Sequence, residues 1–214
     1  MLNLESKSLM KVLLHICCAP CACYPIKLLK DKGYQVIGLW YNPNIHPCTE
    51  FVKRMSAVKK LEEIEGIKVI YFETYEPEKW LRAVAFREER PVRCQVCYQM
   101  RLEMAASVAK KGKFDYFTST LFYSKYQSRD LMLPIAYSAS RKFGVSFLDI
   151  DFREGWKEGI AISKEKGLYR QQYCGCIYSE KERYCPKGKP NSDWVISQTV
   201  DEAKRVIDHF FKGD

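Results

Sequence analysis

Apolar and polar positions along the chain switch repeatedly between two periods. Lys11-Val-Leu-Leu-His-Ile16 is an apolar run of strand length, and a helical stretch from about Ala22 to Lys32 follows it, stopped by Gly33. Pro20 and Pro25 lie near the start of that helix, where a missing N–H is tolerated best. Gln35 to Tyr41 predicts a second strand, Ile67 to Phe72 a third, Phe114 to Ser119 a fourth and Val145 to Ile150 a fifth. Between them, Phe51, Val52, Met55, Val58, Leu61 and Ile64 recur at helical spacing and end at Gly66. Further helices are predicted over about Glu76–Glu89, Cys94–Lys111 and Asp130–Phe143. Strands alternating with helices predict an α/β fold, an open, largely parallel sheet flanked by helices, over residues 1–150. From 151 to about 190 the chain is rich in Gly, Tyr, Arg and Cys, and a last helix carries Val200, Ala203, Val206, Ile207 and Phe210 on one face. Residues 151–214 are therefore expected to form a Cys-rich C-terminal extension and a helix packed on the same domain.

Composition narrows the class. The 214 residues are 47% hydrophobic and 29% charged, a folded rather than a disordered profile. No apolar run approaches membrane-spanning length, and the first ten residues lack the apolar core of a secretion signal. The expectation is a cytoplasmic protein with no membrane partner. A formal charge of +9 favours a polyanionic partner, nucleic acid first. Ten cysteines in such a chain are unusual, because the cytosol disfavours structural disulfides. They are metal ligands, redox-active thiols or buried apolar fillers.

Their spacing sorts them. In an open α/β sheet, ligands bind beyond the carboxyl ends of the strands. Cys17-Cys18-Ala-Pro-Cys21 occupies that position after the first strand. A thiolate there also sits near a helix N-terminus, whose dipole favours the ionised, metal-binding form. Cys94-Gln-Val-Cys97 opens a predicted helix, so two sulfurs three residues apart share a face. Cys174-Gly-Cys176 is compatible with a metal in irregular backbone or with a strained, labile disulfide. Cys17, Cys18, Cys94 and Cys97 make one four-thiolate set, suited to zinc or to a cubane cluster. A redox centre with Cys174 and Cys176 as an electron relay uses all six, whereas structural zinc leaves that pair unexplained. Cys21, Cys23 and Cys185 are extra thiols, and Cys48 reads as structural.

Five strings together resemble the QueH family of cobalamin-independent epoxyqueuosine reductases. They are Leu-His-Ile-Cys-Cys-Ala-Pro-Cys (14–21), Tyr-Asn-Pro-Asn-Ile-His-Pro (41–47), Arg-Cys-Gln-Val-Cys-Tyr-Gln-Met-Arg-Leu (93–102), Ser-Lys-Tyr-Gln (124–127) and Gly-Leu-Tyr-Arg-Gln-Gln-Tyr-Cys-Gly-Cys (167–176). The resemblance runs from about Lys11 to Ser179. It implies a two-electron deoxygenation of epoxyqueuosine to queuosine at the wobble position of a tRNA, with electrons from an unidentified donor. It implies a [4Fe–4S] cluster on Cys17, Cys18, Cys94 and Cys97, with Cys174 and Cys176 as the redox-active pair. A cubane passes one electron at a time, so the reaction calls for two sequential transfers or a second iron beside the cluster.

Tyr123, Tyr126, Asp130, His15 and His46 lie near predicted strand ends and are candidate proton donors, with Tyr126 and Asp130 preferred. Tyr123, Tyr126, Tyr169 and Tyr173 are candidate stacking partners for an opened anticodon loop. The fold also resembles the PP-loop ATPases and their adenine-nucleotide-hydrolase-like relatives. Their phosphate-binding Ser-Gly-Gly turn is replaced here by Cys17-Cys18-Ala19-Pro20, which leaves no Gly-rich anion nest. Two other classes stand beside this reading: a zinc-stabilised RNA-binding module, and a PP-loop-type tRNA thiolation enzyme.

Overall fold

The computed structural model describes residues 9–185. The expected C-terminal helix lies outside the described residues. Five strands, β1 (Lys11–His15), β2 (Gln35–Trp40), β3 (Lys68–Tyr71), β4 (Tyr116–Ser119) and β5 (Ser146–Phe147), form one sheet in the order β3-β2-β1-β4-β5. Every pairing is parallel. Helices α1 (Ala19–Asp31), α2 (Cys48–Glu65), α3 (Pro77–Val84), α4 (Val92–Lys111), α5 (Arg129–Phe143) and α6 (Trp156–Glu165) connect and flank it. This is the open α/β architecture expected from the alternating periods.

The near-continuous apolar run of β1 reflects burial on both faces, as in other parallel sheets. Val12, Leu13 and Leu14 are fully buried, as are Leu39 of β2 and Phe117 of β4. The order of the strands matters more than their number. β1 leads to β2 on one side and pairs with β4 on the other, so the connections diverge at β1. In doubly wound sheets that divergence opens a crevice at the strands' carboxyl ends. His15 pairs with Leu39 and with Ser119, and the chain leaves the sheet into this crevice at Cys17.

Three element boundaries differ from the periodicity. α1 begins at Ala19 rather than at about Ala22, since Cys18 is extended and Pro20 fits the first turn. Pro25 then falls inside the helix and is buried there. The helix expected over Glu76–Glu89 stops at Val84, where Ala85 turns extended and Phe86 takes φ 60°. β5 has two residues instead of six, although the Leu148 N–H still reaches Phe117 O at 2.9 Å.

The chain divides into two compact units, one reaching Gln171 and one beginning at Gln172. The division therefore falls later than 150, because 151–171 belongs with the sheet. Phe152 is fully buried and α6 packs along α1. The close approach is made by Gly155 and Gly159: a Cβ on Gly155 would lie 2.3 Å from the Tyr24 ring, and one on Gly159 2.3 Å from the Tyr123 hydroxyl. In the second unit, α7 (Ile177–Tyr184) starts on Cys176, and the rings of Tyr173 and Tyr184 meet edge-on. No helix among the described residues is long and apolar enough to cross a membrane.

Gly159→Ala is expected to destabilise the protein by ~1–3 kcal/mol through overpacking against Tyr123. Thermal denaturation checks it, and an unshifted midpoint for Gly159→Ala contradicts it.

His15 and His46 supply a pH dependence. Burial, with the Arg101 charge adding to it, lowers the His15 pKa to about 4. Burial alone lowers His46 to about 4. Both folded values lie below the unfolded 6.5, so protonation favours the unfolded chain. Their contribution is fully present above pH 6.5 and is lost as pH falls toward 4, at ~1.4 kcal/mol per pH unit for each histidine. Denaturant unfolding between pH 7 and pH 5 is expected to show this slope and His46→Asn to flatten it; a pH-independent stability refutes it.

Candidate metal centre

The carboxyl end of β1 carries three cysteines into one place. Cys17 ends the exit from the sheet, Cys18 is the extended residue that caps α1, and Cys21 is the third residue of that helix. Their sulfurs all lie within 4.8 Å of one another, the group of three potential ligands gathered among the described residues. Cys17 Sγ and Cys18 Sγ are 3.7 Å apart. Cys18 and Cys21 are buried, and Cys17 is half-buried. The α1 N-terminus favours negative charge at this position.

Each sulfur has its own surroundings. Thr120, just past β4, accepts from the Cys17 N–H at 3.0 Å and donates its hydroxyl to Cys17 Sγ at 3.2 Å. Hydrogen bonds from the Cys18 thiol, then from Cys21 and Thr120, and the charge of Arg101 hold Cys17 well below the ordinary thiol range. Burial pushes Cys18 up, and the hydrogen bond to Cys17 adds to it. Cys21 is raised first by its hydrogen bond to Cys17. A metal ion among the three sulfurs would favour their ionised form, since thiolate is the state that binds metal. Gln171 completes the surroundings by donating Nε2–H to Cys18 Sγ at 2.9 Å.

Cys94 and Cys97 stand in the first two turns of α4, three residues apart as the helical spacing required. They are not in the 4.8 Å group with Cys17 and Cys18; Cys21 is. Cys97 is buried, and its sulfur accepts from Arg101 Nη2 at 3.0 Å. Arg101 is itself buried and its charge acts on Cys17 and His15, so one cation serves both cysteine elements.

The disulfide considered for Cys174 and Cys176 is not formed, and no disulfide joins any of the described cysteines. The two sulfurs have parted roles. Cys176 is buried and caps α7, its Sγ accepting from the Ser179 N–H at 3.4 Å, whereas Cys174 is exposed. Cys23 is also buried, and burial raises its thiol to about 12.

The other candidates separate by exposure. His15 is fully buried, with Nδ1 2.8 Å from Ser119 Oγ and Nε2 3.1 Å from Tyr41 O, a core histidine held neutral. His46 packs against Trp80 and meets the Tyr75 hydroxyl at 3.2 Å. Tyr123 is buried and donates to Trp156 O at 3.0 Å, so its ring is not available for stacking on RNA. Tyr169 is committed to Glu50 at 2.6 Å. Tyr126 is 78% exposed and stands edge-on to Trp156, with the Lys125 ammonium 5.8 Å from the centre of the same indole. Asp130 is exposed in the first turn of α5.

The chain is similar to known proteins in sequence and in fold. The profile of the family described as epoxyqueuosine reductase QueH matches residues 12–182. The chain belongs to the QueH family. An epoxyqueuosine reductase QueH from Dehalococcoides mccartyi is 39% identical over 182 residues, 85% of this chain and 97% of that protein. The one from Thermotoga maritima is 37% identical over 179 residues, covering 80% and 91%. Among solved structures, the U34-tRNA thiolase NcsA from Methanococcus maripaludis with its [4Fe–4S] cluster superposes with a TM-score of 0.51 at 15% identity. That match covers 94% of this chain and 73% of the thiolase. A predicted tRNA methyltransferase subunit from Methanocaldococcus jannaschii gives 0.50 at 15% identity, covering 73% and 75%. At these identities the structural likeness is one of fold.

Thr120, Arg101 and Gln171 are site residues that sequence reasoning missed. Thr120→Val removes the hydroxyl that donates to Cys17 and is expected to raise the Cys17 pKa, since that hydrogen bond favours the ionised sulfur. The pH profile of Cys17 alkylation in metal-free protein, followed by mass spectrometry, reads this directly. A profile identical to wild type removes Thr120 from the site.

Proposed function

We propose that this chain is a cytoplasmic iron–sulfur enzyme that reduces epoxyqueuosine to queuosine in tRNA. The observation that carries the reading is the trio Cys17, Cys18 and Cys21 at the sheet's switch point, in a chain that matches the QueH family over residues 12–182. A donor set made only of sulfur suits iron–sulfur clusters and zinc among biological metals. The reaction of the named relatives is a reduction, which zinc does not perform.

We assign Cys17, Cys18, Cys94 and Cys97 as cluster ligands, with Cys21 a further thiolate against the first two. When bound, a [4Fe–4S] cluster supplies electrons singly at low potential; a second iron on the surplus thiolate is the alternative to two sequential transfers. Removing the epoxide oxygen as water consumes two electrons and two protons and leaves a carbon–carbon double bond. An external donor provides the electrons, and Cys174 and Cys176 are proposed as the redox-active thiols between donor and site. The chain's own residues set the environment. Arg101 offsets the thiolate charge of Cys17, and Thr120 orients its sulfur. Burial holds His15 neutral beside it, which keeps that ring out of proton delivery at neutral pH. Tyr126 and Asp130 are the candidates for a proton.

The +9 charge suits a polyanion, and phosphate contacts from Lys and Arg give such binding its salt dependence. Tyr126 with Lys125 offers an exposed ring and a cation to a splayed nucleotide.

Anaerobically prepared protein, incubated with epoxyqueuosine-containing tRNA and a chemical reductant, is expected to yield tRNA lighter by one oxygen in the modified nucleoside. Iron content of variants tests the ligands. Cys97→Ala is expected to abolish cluster binding; a full cluster in Cys97→Ala and its loss in Cys21→Ala would transfer the ligand role to Cys21. A colourless, zinc-loaded, oxygen-stable protein without activity on the tRNA would contradict the proposal and favour an RNA-binding module.

A further inference from the structure

The segment after α6, residues 167–171, is pinned along its whole length. Lys60 of α2 donates to Gly167 O at 3.2 Å. Leu168 is buried and its N–H bonds Ser163 O at 3.1 Å. The Tyr169 hydroxyl donates to Glu50 Oε2 at 2.6 Å, and Gln171 Nε2 donates to Cys18 Sγ at 2.9 Å. Glu50 is fixed in turn through its other oxygen, which accepts from Arg54 Nε at 2.7 Å. Glu50 and Arg54 face inward from α2, with side chains 8% and 2% exposed.

Two features of this chain of contacts are costly as pure scaffolding. A buried ion pair loses most of its Coulomb gain to desolvation, so Glu50–Arg54 is a poor source of net stability. The Gln171 amide oxygen is buried and has no hydrogen-bond partner. An orphaned buried acceptor is unfavourable, and a residue serving only to hold the loop would satisfy both ends of its amide. What the arrangement achieves is one N–H dipole aimed at one sulfur. Hydrogen bonds to cluster sulfurs stabilise the more negative, reduced state and so raise the potential.

We propose that Gln171 is a positioning residue that raises the reduction potential of the cluster bound at Cys18, and that Glu50, Arg54 and Tyr169 hold it on that sulfur. This rests on the iron–sulfur reading above. The test is a redox titration of the anaerobically reconstituted full chain, with iron counted in every sample. Gln171→Met matches the length of the side chain without a donor, and Gln171→Leu is the second variant. Both are expected to keep the wild-type iron content while reduction becomes about tenfold less favourable, ~59 mV for a one-electron couple. Tyr169→Phe is expected to move the potential the same way by less, and to add nothing in the Gln171→Met background. Full iron with an unmoved potential in both Gln171 variants overturns the proposal. Loss of iron from both also overturns it, by making Gln171 a residue of binding rather than of tuning. A wild-type chain that takes up no iron overturns this proposal and the iron–sulfur reading together, which separates the two failures.

Discussion

Three sulfurs are held within 4.8 Å of one another, two of them buried, and charge on all three at once is opposed by their mutual repulsion. Like charges that close repel by several kcal/mol even at an effective dielectric near 20. The site is asymmetric in this respect: its hydrogen bonds and the Arg101 charge pull the Cys17 thiol down, and burial and the Cys17 contact push Cys18 and Cys21 up. The rest of the site is arranged around the same imbalance. Arg101, itself buried, lends positive charge from α4, Thr120 donates from the end of β4, and the α1 N-terminus adds its dipole.

The fold supplies the place. Parallel pairing of β1 with both β2 and β4 sends the chain's connections to opposite sides, and the crevice so formed lies above His15 and Ser119. Here Cys18 takes the helix-capping position and Pro20 the first turn, and backbone N–H groups yield to sulfur. The same fold is shared with a tRNA thiolase at 15% identity, and the side chains placed at the crevice, not the fold, decide its chemistry.

The sheet and most helices were legible because each carries a clean period. β1 was visible as a run of buried apolar residues, and Cys17 and Cys18 as what stands at its end. Cys94 and Cys97 were legible as i and i+3 on a helix. Cys21 was undervalued for a definite reason: starting α1 at Ala22 leaves it in a loop, whereas a start at Ala19 makes Cys18 the cap and Cys21 the third helical residue, side by side. Thr120 and Gln171 had no local signal, since they reach Cys17 and Cys18 across 103 and 153 residues. Tyr123 was misread as a stacking candidate for a related reason: sequence gives no sign that its ring is buried and its hydroxyl donates to Trp156.

The central claim is that the sulfurs at the end of β1 bind iron as a cluster. Iron-edge X-ray absorption of anaerobically reconstituted protein tests it most directly, compared with a Cys17→Ser, Cys18→Ser, Cys21→Ser variant. The account predicts a sulfur-dominated shell with a short iron–iron vector in the wild type and its disappearance in the variant. An iron shell of oxygen and nitrogen alone, or a cluster signal undiminished in the triple variant, would contradict it.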